Sequence, residues 1–451
     1  MYTPVELYLA CRNRFRKVCL LESNDYHSRQ NSKSFIGLDP ISEINVLPSE
    51  IRIRLPEKTE SQRIRPEDDL GEQLQKVLGN FAFRQPEGNG FFGRFGFEFS
   101  HVDETHHTDF PPNLRLPLAH LFLFRYLIVL DHFTDTGYIL ENSFTPIESG
   151  ISIEKLLQGA EKQILPFETL GRERSMLSDE EFHNRVVDGI DQCQKGEVFQ
   201  LVLSNAFEQD YFGDDFQVYR ELRRLNPSPY LFYFDFEDYR LMGSSPEAQM
   251  IIRDSKAEIH PIAGTVPKSG DATIDQQALE YLIQSEKENA EHTMLVDLAR
   301  NDLSRECNQV QVESYKEVQH FSHVIHLVSR VTGDLIRNEG IKALTRSFPA
   351  GTLSGTPKPR ALELIRHYEP VPREFYGGCI GLFSATGDVN TAIVIRSILS
   401  MNGTLHYRAG AGIVIDSEPH REVAEVHHKL RAVRQAIYQT RDQFIPQHSI
   451  S

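Results

Sequence analysis

Tyr230–His260 reads YLFYFDFEDYRLMGSSPEAQMIIRDSKAEIH. Tyr230–Phe236, rich in aromatics, and Tyr239–Ser244 predict a hairpin. Ala248–Arg253 and Ala257–His260 read as further strands. Strands in runs, with helices between the runs, indicate an α+β fold with antiparallel pairing rather than a Rossmann alternation. Upstream, Ser178 opens an S-D-E-E capping box and a helix to about Lys195. A strand at Val198–Phe207 and a helix at Asp215–Leu225 follow, the helix ending before Asn226-Pro227. Downstream, after a helix at Ser285–Asp302, strands are expected at Gln309–His320 and Ser322–Gly333, with a helix at Ile341–Arg346. Phe348–Pro359 reads as a Gly- and Pro-punctuated loop, and Ala361–His367 as a helix. Gly378–Phe383, Thr391–Met401 and Gly403–Arg408 form a meander. Ala409–Gly412 reads as a small-residue turn, and a last helix spans about Pro419–Thr440.

Towards the N-terminus the pattern is less regular. A helix at Thr3–Arg14 precedes strands at Val18–Glu22, Ser34–Leu38 and Ile51–Leu55, with a polar loop at Asn24–Ser34. Leu70–Phe81 is helical, Gly88–Gly96 turns into a strand, and Phe122–Leu130 and Thr136–Leu140 are strands. His101–Asn113 carries three His but is flanked by Pro, as in a solvated loop. Ile151–Lys162 reads as a helix and Gln163–Met176 as a polar connection. That connection divides an N-terminal region, 1–165, from a second region, 178–440, within one compact unit.

A net charge of −16 over 451 residues argues against nucleic acid as a main partner. Five scattered cysteines without CxxC spacing suit a reducing compartment and form no zinc or disulfide framework. The N-terminus has no apolar core of a signal peptide. Leu116–Leu130, the most apolar run, is broken by His120 and Arg125, so no membrane span is expected and the chain reads as cytoplasmic.

Ser285–Asp302 reads SEKENAEHTMLVDLARND. At ~100° per residue, Glu288 and Glu291 share a face with Leu295 and Leu298, while Glu286 and Asp297 point away. Two acids therefore lie on the stripe that faces the protein. Either the helix is amphipathic with acids at its rim, or the pair has a partner such as a divalent cation. The last helix repeats the pattern: Glu422, Glu425 and Lys429 share a face with Val426, Val433 and Ala436, and Ser417 is placed to cap it. Four carboxylates suit Mg²⁺, and Lys429 suits an anionic group. RAGAG (Arg408–Gly412) could bring backbone N–H groups close to a carboxylate. FPAGTLSGTP (Phe348–Pro357) does not meet the G-x-x-x-x-G-K-[ST] pattern, and PIAGTVP (Pro261–Pro267) is a third Gly turn. His326, in a strand-like run, is either a structural residue or a proton-transfer group.

AEHTMLVDLARND, PIAGT, FPAGTLSGTPKPRALELI, YGGCIGLF, AIVIRSIL and AGAGIVIDSEP stand in this order along Ser178–Thr440. In order and spacing they resemble the chorismate-utilising enzymes, above all the family of anthranilate synthase large subunits. The resemblance implies two stacked antiparallel β-sheets flanked by helices. It implies a lyase that converts chorismate and ammonia to anthranilate and pyruvate through 2-amino-2-deoxyisochorismate, with Mg²⁺. It places Glu291 and Glu425 on the metal, and Glu288 and Glu422 on metal-bound waters. Gly264, Thr265, Tyr376, Arg396, Gly410, Ala411, Gly412 and Lys429 would bind chorismate. His326 would be the acid–base residue, and Thr352 would line the site.

Gln200 stands where isochorismate and salicylate synthases carry a lysine that activates water, so ammonia is the implied nucleophile. Ala263 replaces the lysine typical of aminodeoxychorismate synthases, the sibling of the folate pathway. Leu20–Ser23, Ser32–Gly37 and Asn226–Tyr230 resemble the tryptophan-feedback site, with Ser23, Lys33, Pro229, Tyr230 and Leu231 as contacts. No glutaminase triad is apparent, so a separate amidotransferase subunit is expected, in a heterotetramer of two large and two small subunits. The alternative from another class is a non-catalytic tryptophan-binding regulatory subunit.

Overall fold

The computed structural model describes residues 3–23, 32–65, 68–83, 88–101, 110–111, 113–145, 155, 164–320, 324–337 and 339–444. The helix expected over Ile151–Lys162 and most of the 24–34 and 101–113 loops lie outside these residues. The hairpin Tyr230–Asp235/Arg240–Ser245 forms with Phe232 opposite Gly243. Every strand pair among the described residues is antiparallel.

The pairing runs in two ladders that meet in one long strand, Lys33–Val46. The first runs Phe167–Ser175, Gln200–Gly213, Thr404–Ile413, Ser397–Met401, Arg240–Ser245, Tyr230–Asp235 and Cys19–Ser23. The second passes from Glu50–Arg54 across Lys33–Val46 to Ala119–Asp131, then through Gly90–Phe95, Cys379–Ser384, Val389–Ile393, Ala248–Arg253 and Lys256–Ile259 to Val324–Leu335. Strands of the N-terminal region thus sit inside both ladders. The apolar run near Leu116–Leu130 is an interior strand, buried almost along its whole length. Burial on both faces removes the polar alternation of a solvated strand. None of the described helices is long and apolar enough to cross a membrane. All five cysteines are buried and unpaired.

Two buried polar clusters stand out, and the first ties the ladders together. His120 bonds Glu43 and the Tyr239 hydroxyl, each at 2.9 Å, and Lys17 meets Glu43 at 2.7 Å. His120 and Lys17 hold the Glu43 carboxyl well below its usual range against the opposing effect of burial. The second cluster centres on Glu369. Arg373 and Arg408 both bond it, and Ser204 donates to it from N–H and hydroxyl at 2.8 and 2.9 Å. Arg373 also donates to the carbonyls of Leu353 and Val202, and Arg408 to that of Pro372.

Several expectations need correction. Gln163–Met176 is not a mere connection, because Phe167–Ser175 pairs with Gln200–Gly213 and forms the edge of the first ladder. Its mostly exposed, charged side chains hide the strand from a reading based on hydrophobic pattern. Ala409–Gly412 is not a turn but the end of the strand Thr404–Ile413. Thr391–Met401 is two strands, Val389–Ile393 and Ser397–Met401, broken at Arg396 with φ +48°. The acidic helix runs Glu286–Ser304, past Asn301 and Asp302, because Asp302 is buried against Lys358 at 2.7 Å. Pro261–Pro267 holds a strand, Ile262–Pro267, with a bulge at Gly264. A helix at Ala272–Gln284 follows it. The last helix runs Pro419–Phe444, and the Ser417 hydroxyl accepts the Val414 N–H.

The capping box at Ser178 forms as expected: Ser178 accepts the Glu181 N–H at 3.2 Å, and Glu181 accepts the Ser178 N–H at 2.8 Å. Ser178→Ala should lower the unfolding free energy by about 1 kcal/mol. Urea denaturation would register this as a lower midpoint, with kcat unchanged.

Candidate functional site

The acidic helix Glu286–Ser304 starts on Ser285, whose side chain accepts the Glu288 N–H at 3.3 Å. It packs on the strands Ile262–Pro267, Cys307–His320 and Val324–Leu335. Leu295, Val296, Ala299 and Leu303 are buried there, while Glu286 and Asp297 are exposed. Glu288 and Glu291 are half-buried, at the edge of the packed stripe.

Glu288 lies against Gly264: a Cβ there would fall 3.2 Å from Glu288 Oε2 and 2.5 Å from Leu282 Cδ1. Gly264 also has φ +75°, which a side chain would strain. Thr265 is in register with His326 on the neighbouring strand. Burial and the Arg396 charge push the His326 imidazole down to about 4, against a hydrogen bond with the Gly264 backbone. His326 is 5% exposed and therefore neutral at pH 7.

Gln200 meets the acidic helix from the opposite strand. Its Nε2 donates to Glu291 Oε1 at 3.1 Å, and its buried Oε1 has no hydrogen-bond partner among the described residues. Gln200 also crowds Gly412, where a Cβ would lie 2.9 Å from Nε2. On the last helix, Lys429 meets Glu425 at 2.7 Å and donates to the Gly410 carbonyl at 2.9 Å. Burial lowers the Lys429 pKa, but Glu425, Tyr376 and Glu291 outweigh it and hold the ammonium charged. The Lys429 side chain remains 45% exposed, so these groups line an open cleft, not a sealed core.

The glycines of RAGAG owe their role to register. Thr404–Ile413 pairs with Ser397–Met401 only up to Tyr407, and with Gln200–Gly213 throughout. Gly410 is opposite Ser204, whose N–H goes to Glu369, and Gly412 is opposite Val202, whose carbonyl goes to Arg373. Both are therefore pairs that exchange no ladder bonds, and the backbone groups of Gly410 and Gly412 face the open edge. Ala411 alternates with them. Its backbone groups turn to Leu203 and its side chain is fully buried, so it offers the cleft no amide of its own.

A carboxyl missed by sequence reasoning completes the cleft. Glu247 follows the strand Arg240–Ser245 and accepts the Thr352 hydroxyl at 3.0 Å. Burial raises its pKa to about 7, against the lowering effects of Thr352, Lys429 and Arg396. It lies in the quoted stretch Tyr230–His260, in GSSPEAQ, a polar break between two apolar strands. Arg396 sits in the interrupted strand, its pKa lowered by burial against the attraction of Glu247, and its Nη1 donates to Asn226 Oδ1 at 3.4 Å. Tyr376 is buried, with the Arg373 guanidinium 5.8 Å from its ring centre.

The cleft thus gathers Gln200, Gly264, His326, Thr352, Tyr376, Arg396, Gly410, Gly412 and Lys429 with Glu288, Glu291 and Glu425. Glu422 is buried one turn before Glu425 on the same helix. Among the described residues, no three His, Cys, Asp or Glu are gathered as a ready metal centre. A larger open groove of about 680 Å³ runs along Asn289, Thr293 and Asp297, the other side of the acidic helix, and contains none of these groups.

A second cavity, about 190 Å³, lies where the two ladders meet. It is lined by Ser23, Lys33, Pro229 and Tyr230, together with Arg253, Asp388 and Asn390. Leu231 does not line it: its side chain is fully buried and its backbone pairs with Glu22.

The model of the chorismate binding enzyme family matches residues 19–435, and the chain belongs to that family. It is 33% identical to anthranilate synthase component 1 of Bacillus subtilis (strain 168), over 94% of this chain and 88% of that protein. It is 39% identical to anthranilate synthase component 1 of Spirochaeta aurantia, over 77% of this chain and 75% of that protein. The crystal structure of anthranilate synthase component I from Streptococcus pneumoniae TIGR4 superposes with a TM-score of 0.77 at 32% identity, covering 89% of this chain and 92% of that one.

Thr352 stabilises the ionised form of Glu247, so Thr352→Val should raise the Glu247 pKa further. A protonated Glu247 is present below about pH 7 and lost as pH rises through it. The alkaline limb of kcat/KM, measured at constant free ammonia, should move to higher pH in this variant. A limb that stays or moves down would contradict the assignment.

Proposed function

We propose that this chain is the large subunit of an anthranilate synthase, converting chorismate and ammonia to anthranilate and pyruvate. The observation that carries the reading is the meeting of a buried, proton-bearing Glu247 with Arg396 and Lys429 beside an acidic helix. The two ladders joined at Lys33–Val46 fit the stacked-sheet architecture of the family. Chorismate is a dianion. Arg396, Lys429 and the open-edge amides of Gly410 and Gly412 are suited to its carboxylates.

Glu247 is poised to give its proton to the ring hydroxyl, which then departs as water. The neutral His326 suits the later step, taking the ring proton as pyruvate is eliminated. Gln200 has no basic group to activate water. Its amide oxygen, with Nε2 committed to Glu291, is an acceptor for an N–H of ammonia.

The donor chemistry fits Mg²⁺: Glu288, Glu291 and Glu425 offer only carboxylate oxygens, and Lys429 now neutralises the charge of Glu425. Glu291 and Glu425 would hold the ion, with Glu288 and Glu422 behind its waters. When bound, the ion supplies positive charge beside the substrate carboxylate and the departing hydroxyl. Glu425→Gln should lower kcat/KM roughly a hundredfold at ordinary Mg²⁺, with an unchanged thermal midpoint. Full activity would remove Glu425 from the metal set.

Anthranilate fluorescence from chorismate, Mg²⁺ and ammonium tests the reaction itself. A product that keeps its pyruvyl ether would identify the aminodeoxychorismate branch instead. Ammonia from glutamine would come from a partner amidotransferase, the component 2 that the relatives' name implies. The second cavity suits tryptophan as a feedback inhibitor: Lys33 can meet a carboxylate, Asp388 an ammonium group, and Pro229 and Tyr230 an indole. Ser23→Arg would fill this cavity. Inhibition by tryptophan should be lost in that variant, with kcat retained. Unchanged inhibition in the same assay would exclude the cavity as the inhibitor site.

A further inference from the structure

A cavity of about 30 Å³ borders Glu247 between the acidic helix and the strand Ala248–Arg253. Glu247, Gln249, His260, Asp302 and Thr352 give it its polar walls, and Leu295, Leu298 and Ala299 part of the rest. One water needs about 10–15 Å³ by this measure, together with two or more polar partners. The volume therefore has room for about two waters, and the walls offer polar groups to bond them. Gln249 is 3% exposed, and its buried Oε1 has no hydrogen-bond partner among the described residues. An amide oxygen left this way costs desolvation energy unless water satisfies it.

His260 leads out of the cavity. Its side chain is 29% exposed, and its Nε2 meets Glu258 Oε2 at 3.0 Å. That leaves Nδ1 as the other proton position of the ring. Glu258 faces the charges of Arg330 and Arg253 and is held ionised by His260 first of all, against burial. Asp302, the remaining acid in the wall, is committed to Lys358 at 2.7 Å. Thr352 borders the cavity and bonds Glu247, which also lies under the charges of Lys429 and Arg396.

We propose that this cavity is the proton supply of Glu247: two waters, anchored by Gln249, connect its carboxyl to His260, which exchanges protons with solvent. The inference rests on Glu247 being the proton donor of the reaction. Each turnover moves one proton from Glu247 to the departing hydroxyl, which leaves as water. No electrons are exchanged, and the carboxylate must regain one proton before the next cycle. With substrate or product filling the cleft, a path through this cavity lets Glu247 recharge without opening the cleft. His260 and Gln249 are positioning residues here, since neither touches the substrate.

The test compares one turnover with many, using the full chain with Mg²⁺ and ammonium. In His260→Ala and Gln249→Leu, chorismate consumption with enzyme in excess should match the unsubstituted protein. Steady-state kcat should fall about tenfold or more, with KM for chorismate unchanged. Added imidazole should restore kcat in His260→Ala. An unchanged kcat in both variants would overturn the proposal and point to the newly added ammonium group as the proton source. Equal losses in the single-turnover and steady-state rates, without rescue by imidazole, would overturn it in favour of a packing role. Glu247→Gln separates the levels. Full activity there would refute Glu247 as the donor, whereas an inactive Glu247→Gln beside a fully active His260→Ala would refute only the supply path.

Discussion

The cleft depends on one buried carboxylate, Glu369. Two guanidiniums and a serine converge on it, and each ties down a different piece of chain. Arg408 belongs to the strand that ends in the Gly410 and Gly412 edge. Ser204 belongs to the strand that carries Gln200. Arg373 reaches the carbonyl of Leu353, next to Thr352 in the short helix Gly351–Ser354. A buried ion pair contributes little net stability, because desolvation cancels much of the attraction, but breaking one partner is costly. Its consequence here is geometric. Val202 and Ser204 spend backbone groups on Arg373 and Glu369, and this fixes which glycine amides remain for the cleft.

Charge balance organises the cleft itself. Lys429 stands between Glu425 and Glu291, so the two acidic helices approach each other across a cation supplied by the protein. Glu247 lies beside Arg396 and Lys429 but is buried enough to keep its proton near neutrality. His326 is kept neutral by burial and by Arg396. Two titratable groups in one cleft are thus biased towards uncharged forms, while the groups suited to an anionic substrate stay charged. Environments that separate protonation states in this way are what acid–base chemistry requires.

Much of this was legible in the residues. Consecutive strands at Tyr230–His260 marked an antiparallel α+β fold, and the capping box at Ser178 fixed a helix start. Spacing alone put Glu288 and Glu291 on the face with Leu295, a local property of a 3.6-residue period. Other features were not legible. Phe167–Ser175 is an edge strand only because Gln200–Gly213 pairs with it, since its own side chains are mostly charged and exposed. RAGAG looked like a turn because glycine usually serves turns; here it serves close approach. Arg396 breaks a run that reads as one continuous strand.

Local periodicity and caps belong to the chain itself, because neighbouring residues determine them. So do the two acidic helices, the separate glycine segments and the α+β class. What tertiary structure decided is which of these meet. Glu247 became a candidate acid only through burial, and the cavity beside it exists only because the acidic helix and the start of the short helix Gly351–Ser354 both line it. Ala411 and Gly410 differ in role by a single step of strand alternation. Desolvation and register arise from residues far apart in sequence, so neither is written in any one stretch of it.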